Sequence, residues 1–520
     1  MSGGVFRKTS IVGITTLLSR VTGLIRDTAY AQAFGAGTLM DAFLIVYKIP
    51  NFLRRLFAEG AFSQSFVPVI SEYRVKRPHE DVRELVSGVA GTLGTLLFFI
   101  SLLGVLAAPV IVFLYAPGFL QQAGKFDQAV DMLRWVFPYV FFISLTALFS
   151  GVLNSYGRFV VPAFTQVIMN VVMIVTTLWI AVDAKNPGLV LAIGVFVSGA
   201  LQLLFQLPSV ARLGLLSWPR WRPAMEGVRR IGKLMIPGIF GSSMSQVNLL
   251  LESLIASFLV NGSIAWLYYA DRIMEFQLGV FSIALATVIL PALSAQHAAD
   301  DREKFSATLD WALRLVIVLV VPAAVALLTL AGPLAATIFG YGRMARPGDI
   351  QMTSYALMAY SWGLIGFSLV KVLAPGYFAR QQTGKPVRIG LIALGVGMAI
   401  NVAIVLPARY FDFPVPHVLL ATSTCIAAAV NAALLWRGLK RDGVWRAAPG
   451  WGRLMLQVVL ASLVMAGLLL SLAWPLDGWL ALGVGARIAR LGVCVIAGAG
   501  AYFAILWLMG MRVGQWRHSA

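Results

Sequence analysis

Long runs of apolar residues recur along the whole chain, and short polar segments separate them. A helix needs roughly 20 mainly apolar residues to cross the hydrocarbon core of a bilayer. Runs of that length predict about fourteen membrane-spanning helices, and therefore an all-α polytopic membrane protein. The predicted spans cover residues 11–33, 41–70, 86–115, 131–153, 160–182, 188–210, 233–259, 264–293, 308–335, 351–379, 388–407, 415–437, 453–474 and 483–510.

The composition strengthens this prediction. The chain of 520 residues is 59% hydrophobic and only 12% charged, with a mean hydropathy of +0.83. A soluble chain carries roughly 25% charged residues, so this chain must use lipid as part of its solvent. The formal net charge is +19. Because the basic residues lie between apolar runs, membrane topology together with an anionic lipid or substrate explains this charge better than nucleic acid does.

The connecting loops, each numbered after the span that it follows, alternate in basic charge. Even-numbered loops are rich in Lys and Arg, whereas loops one and seven have neither. Loop nine is the exception, since it carries Arg343 and Arg346. Basic loops favour the cytoplasmic side, so an even number of spans predicts an inner-membrane, multi-pass protein with both termini in the cytoplasm. Arg20 and Arg26 interrupt the first apolar run and no convincing cleavage site follows, so we expect a retained helix and not a signal peptide.

The long basic loop six predicts a boundary between two helix bundles. Phe66–Ser71 resembles Ile289–Ser294, and Tyr156–Arg158 resembles Thr383–Lys385, so a faint repeat runs across this boundary. Duplicated halves are a common transporter plan, and chance similarity among apolar segments is the alternative. We predict three segments, which are a first lobe at 1–215, a second lobe at 216–447 and two added spans at 448–520.

Ionisable side chains within the spans are the most informative residues, because each costs several kcal/mol if it faces hydrocarbon. Basic residues outnumber acidic ones in the first two spans. Guanidinium groups in a wet cavity suit a phosphate or pyrophosphate, which Arg binds bidentately. The charged residues are Arg20, Arg26 and Asp27 in span one, Asp41, Lys48, Arg54, Arg55 and Glu59 in span two, Glu252 in span seven, Asp271, Arg272 and Glu275 in span eight, and Lys371 in span ten.

Several of these charges also have a structural explanation. Arg26 and Asp27 could simply pair with each other, and Lys48 and Arg55 could extend toward an interface. Asp41, near the end of its span, could be a helix N-cap or a gate contact with the other bundle. The substrate interpretation is favoured for three arginines, Arg20, Arg54 and Arg272.

Catalytic signatures are lacking in the sequence. It has no G-x-x-x-x-G-K-[ST] loop and no G-x-S-x-G elbow, and its four histidines form no metal-ligand pair. Cys425 and Cys494 lie inside apolar runs, where packing is the default explanation. We therefore expect no enzyme activity, metal or cofactor, and only a coupling ion of open identity.

Five ordered segments resemble the signatures of the MurJ/MviN lipid II flippase family. They are SRVTGLIRD at 19–27, DAF at 41–43, PNFLRRLFAEGAFSQSFVP at 50–68, YYADRIMEF at 268–276 and VKVLAPGY at 370–377. The resemblance covers essentially the whole chain. Three positions depart from the family pattern, since Gln277 stands where Pro is frequent, Ala265 where Ser is usual, and Glu252 is an additional acid.

The resemblance implies the fold of the multidrug/oligosaccharidyl-lipid/polysaccharide exporters. That fold has two six-helix lobes around a central cavity, plus two C-terminal helices that form a groove for the undecaprenyl tail. The implied activity is movement of lipid II from the inner to the outer leaflet by alternating access, for cell-wall synthesis and cell shape. The expected partners are then lipid II and the cell-wall synthesis machinery. Nucleic acid is not expected as a partner.

The resemblance also implies roles for individual residues. The candidates for the head-group pyrophosphate are Arg20, Arg26, Arg54 and Arg272. The candidates for gating or charge compensation are Asp27, Asp41, Glu59, Asp271 and Glu275. The other cavity candidates are Lys48, Asn51, Arg55 and Lys371.

Three rival functions remain open at this point. A drug/ion antiporter or O-antigen flippase of the same fold is the first, although a drug site should be less cationic. A membrane-embedded enzyme that acts on polyprenyl phosphate is the second, and it should show paired acids or a metal-spaced His. A non-transporting scaffold is the third, and it should tolerate Lys in place of Arg54 or Arg272.

Overall fold

The computed structural model describes residues 2–54, 62–279, 284–411, 413–473 and 475–512. These residues form helices joined by turns, and this described part of the chain contains no β-strand, so the all-α prediction is confirmed. The chain divides into two compact units, Met1–Ile264 and Ala265–Ala520. The predicted functional segments, with boundaries at 215 and 447, stay predictions.

Helices α1 to α10 build the first unit. A 3₁₀ turn at Pro117–Gln121 follows α5, and a π-helical segment at Thr176–Ala181 continues α8. The bounds are α1 Ser2–Phe34, α2 Thr38–Arg54, α3 Ser63–Lys76, α4 His79–Leu106, α5 Ala108–Tyr115, α6 Lys125–Val136, α7 Tyr139–Ser155, α8 Val160–Val175, α9 Pro187–Ala211 and α10 Glu226–Ser257.

Helices α11 to α21 follow, and α11 begins just before the boundary between the units. A 3₁₀ turn lies at Gly342–Met344, and a second π-helical segment lies at Asn401–Val405. The bounds are α11 Ser263–Leu278, α12 Ala284–Ala298, α13 Arg302–Thr329, α14 Ala331–Phe339, α15 Pro347–Phe378, α16 Gly384–Ile400, α17 Leu406–Tyr410, α18 Pro416–Arg441, α19 Trp451–Leu472, α20 Leu476–Leu480 and α21 Val484–Leu508.

Within the described residues, 10 helices are long and apolar enough to cross a membrane. They coincide with predicted spans three to six and nine to fourteen; α6 and α7 together make span four. The other four predicted spans lie on α1, on α2 with α3, on α10, and on α11 with α12. These are the spans that hold nearly all of the predicted intramembrane charges, which lower the apolarity of a helix.

Local sequence explains where key helices begin. The Asn186 side chain accepts a hydrogen bond of 3.2 Å from the backbone N–H of Leu189, and Pro187 occupies the first turn of α9. The Asp301 side chain caps α13 by accepting a 3.0 Å bond from the N–H of Lys304. That backbone hydrogen bond lowers the pKa of Asp301. Both residues satisfy amide groups that a helix start otherwise leaves without partners.

The even-numbered loops contact one another within each unit. Glu72 of loop two accepts a 2.8 Å hydrogen bond from Arg230 of loop six, and bonds from Lys76 and Arg230 lower its pKa. Asp442 of loop twelve pairs with Lys385 of loop ten at 2.6 Å, and this hydrogen bond lowers the pKa of Asp442. Segments can touch in this way only if they lie on the same side of the membrane.

The odd-numbered loops and the adjoining span ends form a second set of contacts. The Trp266 indole, just after loop seven, donates a 3.0 Å hydrogen bond to Asp349 of loop nine. Arg487, just after loop thirteen, donates to the carbonyl of Gly340 in loop nine at 2.7 Å. Loop nine therefore lies with the odd loops despite its two arginines, as the predicted number of spans requires.

The predicted internal repeat is visible in the order of the helices. Helix α4 begins at His79 and α13 at Arg302, an offset of 223 residues. Each is followed after one residue by a short helix, α5 or α14, and these again begin 223 residues apart, at Ala108 and Ala331. Helices α8 and α16 both continue into π-helical segments. Matching irregularities at matching positions favour duplication over chance similarity.

Candidate functional site

Arg26 and Asp27 form a buried ion pair on α1. The Arg26 guanidinium donates to Asp27 Oδ1 from Nε at 3.0 Å and from Nη2 at 2.7 Å. Both side chains are almost fully buried. A buried charge is tolerated when it is paired and hydrogen-bonded, so this arrangement suits the membrane-embedded part of a helix.

Asn170 of α8 holds this pair from the neighbouring helix, and it was not among the predicted site residues. Its Oδ1 accepts a 3.0 Å hydrogen bond from Arg26 Nη1. Its Nδ2 donates to the Ser19 carbonyl and to Thr22 Oγ1, both at 3.0 Å. The signal that could have identified Asn170 is its place within an apolar span, because such an amide must find hydrogen-bond partners.

The other cations of the first two spans are half-buried. The Arg20 side chain forms no hydrogen bond or ion pair with residues that the structure describes. Arg54 donates from Nε to Asn51 Oδ1 at 3.2 Å, and Asn51 in turn donates to the Tyr47 carbonyl at 2.9 Å. Lys48 is half-buried on the same helix. Arg55 and Glu59, which the sequence analysis also proposed, lie outside the described residues.

A second cluster, here called the Asp41–Lys125 cluster, consists of buried Asp41, Lys125 and Gly262 together with exposed Asn261. Lys125 Nζ lies 3.1 Å from Asp41 Oδ2, and both side chains are 1% exposed. The ammonium also donates to Asn261 Oδ1 at 2.8 Å, and the Gly262 N–H donates to Asp41 Oδ2 at 2.8 Å. Helix α2, helix α6 and the loop before α11 are thereby joined.

This cluster resolves one alternative for Asp41. Helix α2 begins at Thr38, so Asp41 lies inside the first turn and is not its N-cap. The carboxylate points to Lys125 and Gly262, and the N-cap alternative is therefore wrong. Nearby, the Gly118 N–H donates to Ser257 Oγ at 3.1 Å, and the Ser257 carbonyl leaves no room for a Cβ at Gly118. The residues of the Asp41–Lys125 cluster all lie in loops one, three and seven or at the ends of the adjoining spans.

The charged residues of span eight lie on α11 in the second unit. Arg272 donates from Nη1 to Glu275 Oε2 at 2.8 Å and from Nη2 to Tyr268 Oη at 3.2 Å. Its guanidinium carbon also lies 5.1 Å from the centre of the Tyr268 ring. Glu275 is exposed, whereas Arg272 and Asp271 are half-buried. The predicted reach from Arg272 to Glu275 is confirmed.

Lys371 of α15 is exposed, and its side chain forms no hydrogen bond or ion pair with the described residues. Ala265, one of the departures from the family pattern, is fully buried. Gln277 is half-buried at the end of α11, and Glu252 is half-buried on α10. The described residues contain no group of three or more His, Cys, Asp or Glu side chains that could hold a metal ion.

A long apolar groove lies in the second unit, with a volume of about 1150 Å³. Residues of α13, α15, α18 and α19 line it, together with the linker between the last two helices. Small residues contribute to its lining, and Gly366 packs closely against the backbone at Ala428 and Ala429. The family resemblance implies a tail groove at the two C-terminal helices, but the apolar pattern itself gives no signal for this groove, because its lining consists of ordinary apolar residues from distant spans.

The whole chain resembles known membrane transporters in sequence and in fold. The sequence model of the family "Lipid II flippase MurJ" matches residues 30–480. A probable lipid II flippase MurJ of Vibrio cholerae is 43% identical over 97% of this chain and 96% of the relative. The lipid II flippase MurJ of Burkholderia cenocepacia is 40% identical over 99% of each chain.

Solved structures agree about the fold. A lipid II flippase MurJ in an inward closed conformation superposes with a TM-score of 0.76 at 23% identity, covering 95% of this chain and 97% of that one. An inward-facing multidrug resistance transporter of the MATE family, in the MOP superfamily, gives 0.64 at 14% identity over 82% and 95% of the two chains.

The fold and the family match define a multi-pass membrane transporter, and not an enzyme. Within that class, the near full-length matches settle the family. The chain belongs to the lipid II flippase MurJ family. The family resemblance of the five sequence segments is thereby confirmed.

Proposed function

We propose that this protein carries lipid II from the inner to the outer leaflet of the cytoplasmic membrane by alternating access, with both termini in the cytoplasm. The observation that carries the proposal is the set of half-buried arginines inside the spans, which are Arg20, Arg54 and Arg272. The polar head group cannot cross hydrocarbon unaided. Guanidinium groups replace its hydration because they bind a pyrophosphate bidentately, while the lipid tail stays in the bilayer.

Arg272 illustrates how binding can exchange partners. In the described arrangement Glu275 compensates its charge, and that carboxylate is 48% exposed while the guanidinium is 33% exposed. A pyrophosphate can displace a partly exposed carboxylate at a modest cost, because exposed ion pairs contribute little stability. We assign Glu275, and with it Asp271, to charge compensation in the empty transporter.

Arg26 and Asp27 form the firmest part of the proposed site. Asp27 and Asn170 already accept hydrogen bonds from the Arg26 guanidinium. We therefore propose that Arg26 acts on the head group through its fixed positive charge, and not through a new bidentate contact. Asp27 then compensates this charge when no substrate is bound. Lys48, Asn51 and Lys371 remain additional candidates for head-group contacts, as do Arg55 and Glu59 by sequence.

The Asp41–Lys125 cluster is the proposed outer gate. It joins loops one, three and seven, which are poor in basic residues and therefore belong outside the cytoplasm. Closure of this contact keeps the head group from leaving outward, and its opening releases the lipid into the outer leaflet. The predicted boundary at residue 216 assigns Asn261 and Gly262 to the second lobe, so this gate would respond to lobe movement.

The apolar groove is the proposed site of the undecaprenyl tail. Of the two added spans at 448–520, span thirteen supplies lining residues. Trp451 and Met455 of α19 lie in its lining. A flippase must hold a long tail in an apolar environment while the head group moves. Since the cell-wall synthesis machinery consumes the delivered precursor, we place it among the partners.

The sequence contains no nucleotide-binding loop, so an ion gradient, the membrane potential or downstream consumption must drive transport. Moving one charge through 100 mV is worth about 2.3 kcal/mol. The potential would therefore return an empty cationic site toward the inside.

A leaflet-accessibility assay for lipid II tests the head-group site. Cells depleted of the protein are rescued with Arg20→Ala, Arg54→Ala or Arg272→Ala, and Arg158→Ala in loop four is the matched control. We expect each of the three variants to reduce outer-leaflet lipid II strongly, and the control to restore it. Substitution with Lys at Arg54 or Arg272 should also fail, because an ammonium cannot reproduce bidentate contacts. Normal flipping by all three alanine variants would exclude this site.

A further inference from the structure

The groove in the second unit is nearly as long as the bilayer core is thick. Its lining on α18 extends from Thr422 to Lys440. At 1.5 Å per residue this is roughly 27 Å, close to the roughly 30 Å of hydrocarbon in a bilayer. One leaflet supplies only about half of that thickness. The groove therefore fits a single chain that is longer than the acyl chains of an ordinary phospholipid.

Among the residues that the structure describes, the cationic side chains that line this groove lie at one end only. Lys440 and Arg446 lie at the end near loop twelve, whereas Ala359 and Thr422 lie toward the other end. Lys440 Nζ is 5.3 Å from the centre of the Trp436 ring, and both Lys440 and Arg446 are exposed. The occupant should thus be an amphiphile with one long apolar tail and an anionic head group.

The surroundings keep this end of the groove positive. Asp442 is the acid nearest to Lys440 in sequence, but Lys385 and Arg380 already bind it at 2.6 and 3.3 Å. Gly443, which also lines the groove, has a φ of 68° and turns the chain just after the helix without adding a side chain at the opening.

The linker that carries Arg446 is fixed in place. The Arg446 N–H donates to Ser306 Oγ at 2.9 Å. The indole N–H groups of Trp445 and Trp451 both donate to buried Asp310, at 3.2 and 2.8 Å. Trp436, Trp445 and Trp451 form a continuous aromatic wall, with ring centres 5.8 and 6.2 Å apart. Asp310 is accordingly a positioning residue for this end of the groove.

We propose that Lys440 and Arg446 bind the pyrophosphate of a long-chain polyprenyl lipid whose tail occupies the groove. This inference rests on the proposed function and deepens it. By the proposed topology this end of the groove faces the cytoplasmic leaflet, so the site holds the substrate before its head group reaches the arginines of the spans. It would not hold a lipid whose head group has already reached the outer leaflet.

Native mass spectrometry of the full-length protein in detergent tests the site with undecaprenyl pyrophosphate as the probe. The double variant Lys440→Gln/Arg446→Gln should bind the probe about 25-fold more weakly, since each basic residue near an anionic lipid contributes roughly fivefold. The matched control, Arg437→Gln/Arg441→Gln, removes two exposed cations of the same helix end that do not line the groove, and it should bind normally. Ala433→Phe, which fills part of the groove, should weaken both undecaprenyl pyrophosphate and undecaprenol.

Three results would overturn the proposal. They are unchanged binding by the Lys440/Arg446 variant, an equal loss in the control, and competition by phosphatidylglycerol as strong as that by undecaprenyl pyrophosphate. Undecaprenol, which lacks the charged head, should not distinguish the double variant from the unmodified protein. Flipping is measured in parallel with the Arg54→Ala variant. If the Arg54 variant loses flipping but the Lys440/Arg446 variant binds undecaprenyl pyrophosphate normally, only this inference fails. If the unmodified protein neither binds undecaprenyl pyrophosphate nor flips lipid II, the proposed function fails.

Discussion

At the scale of single residues, the buried charges of this protein are held by partners that lie far away along the chain. Asp41 was a candidate because an ionisable side chain within a span is costly, whereas Lys125 looked like an ordinary loop lysine. The structure buries both, although 84 residues separate them along the chain. Asn170 and Asn261 were missed for the same reason, since a lone amide has meaning only once its neighbour is known. Pairing across such distances depends on tertiary packing, which periodicity and composition do not encode.

The Asp41–Lys125 ion pair leads to a stability prediction. Asp41→Asn leaves the ammonium of Lys125, which is 1% exposed, without its counter-charge. Breaking a buried pair in this way typically costs about 3–5 kcal/mol, so we expect a clearly lower thermal unfolding temperature in detergent. The double variant Asp41→Asn/Lys125→Met should recover most of that loss, because neutral groups of similar volume replace the pair.

The comparison between single and double variants separates charge from packing. Asn can still accept the hydrogen bond from the Gly262 N–H, so the single variant removes mainly the negative charge. An unfolding temperature that is unchanged in Asp41→Asn would show that the pair does not stabilise the fold. A double variant as unstable as the single one would assign the loss to packing.

At the scale of helices, apolar run length predicted the position of the spans well but not their internal breaks. Short helix α5 follows α4 after one residue, and α14 follows α13 in the same way. The π-helical segments after α8 and α16 are equally invisible in the sequence pattern, because one additional residue in a turn does not alter apolar character. The similar sequence fragments around Pro68 and Pro291 did indicate the internal repeat to which these breaks also point. Both prolines lie inside helices, Pro68 in α3 and Pro291 in α12.

Arg487 shows how an added span is attached to the repeat. Its guanidinium donates to the carbonyls of Ala336 and Gly340 at the end of α14, at 3.0 and 2.7 Å, and to those of Leu480 and Leu482 before α21. A cation at the C-terminal end of a helix also interacts favourably with the helix dipole. Arg487 is buried, so these carbonyls have little access to water.

Arg487→Met should therefore destabilise the second unit. Hydrogen bonds to charged groups contribute roughly 1.5–3 kcal/mol each, and carbonyls left without donors add a desolvation cost. We expect a loss of at least about 2 kcal/mol, measured as the shift in thermal unfolding of the purified protein. Arg490→Met is the comparison on the same helix, because its hydrogen bond to the Leu472 carbonyl is long, at 3.4 Å. Equal effects of the two substitutions would contradict the capping role of Arg487.

At the scale of the whole molecule, loop charge and loop contact give the same division of the chain. Charge alone left loop nine ambiguous, since Arg343 and Arg346 would favour the cytoplasmic side. The contacts of Asp349 and Gly340 instead join it to the ends of loops seven and thirteen. Missing or adding one span would have placed touching segments on opposite sides of the membrane. The alternation of the loops was thus predictable from sequence, whereas the side of the exceptional loop required the structure.

Loop nine therefore gives the sharpest test of topology. Cys425 and Cys494 are both buried, so a variant with Ser at these two positions provides a background for single reporter cysteines. Arg343→Cys is exposed and should react with a membrane-impermeant maleimide in intact cells whose outer membrane has been made permeable, as should Lys185→Cys in loop five. Trp218→Cys, at a position that is 85% exposed in loop six, should react only after the inner membrane is opened. If Arg343→Cys reacted only after the inner membrane is opened, loop nine would lie on the cytoplasmic side, as its two arginines alone would predict. The orientation of every later span would then have to be inverted.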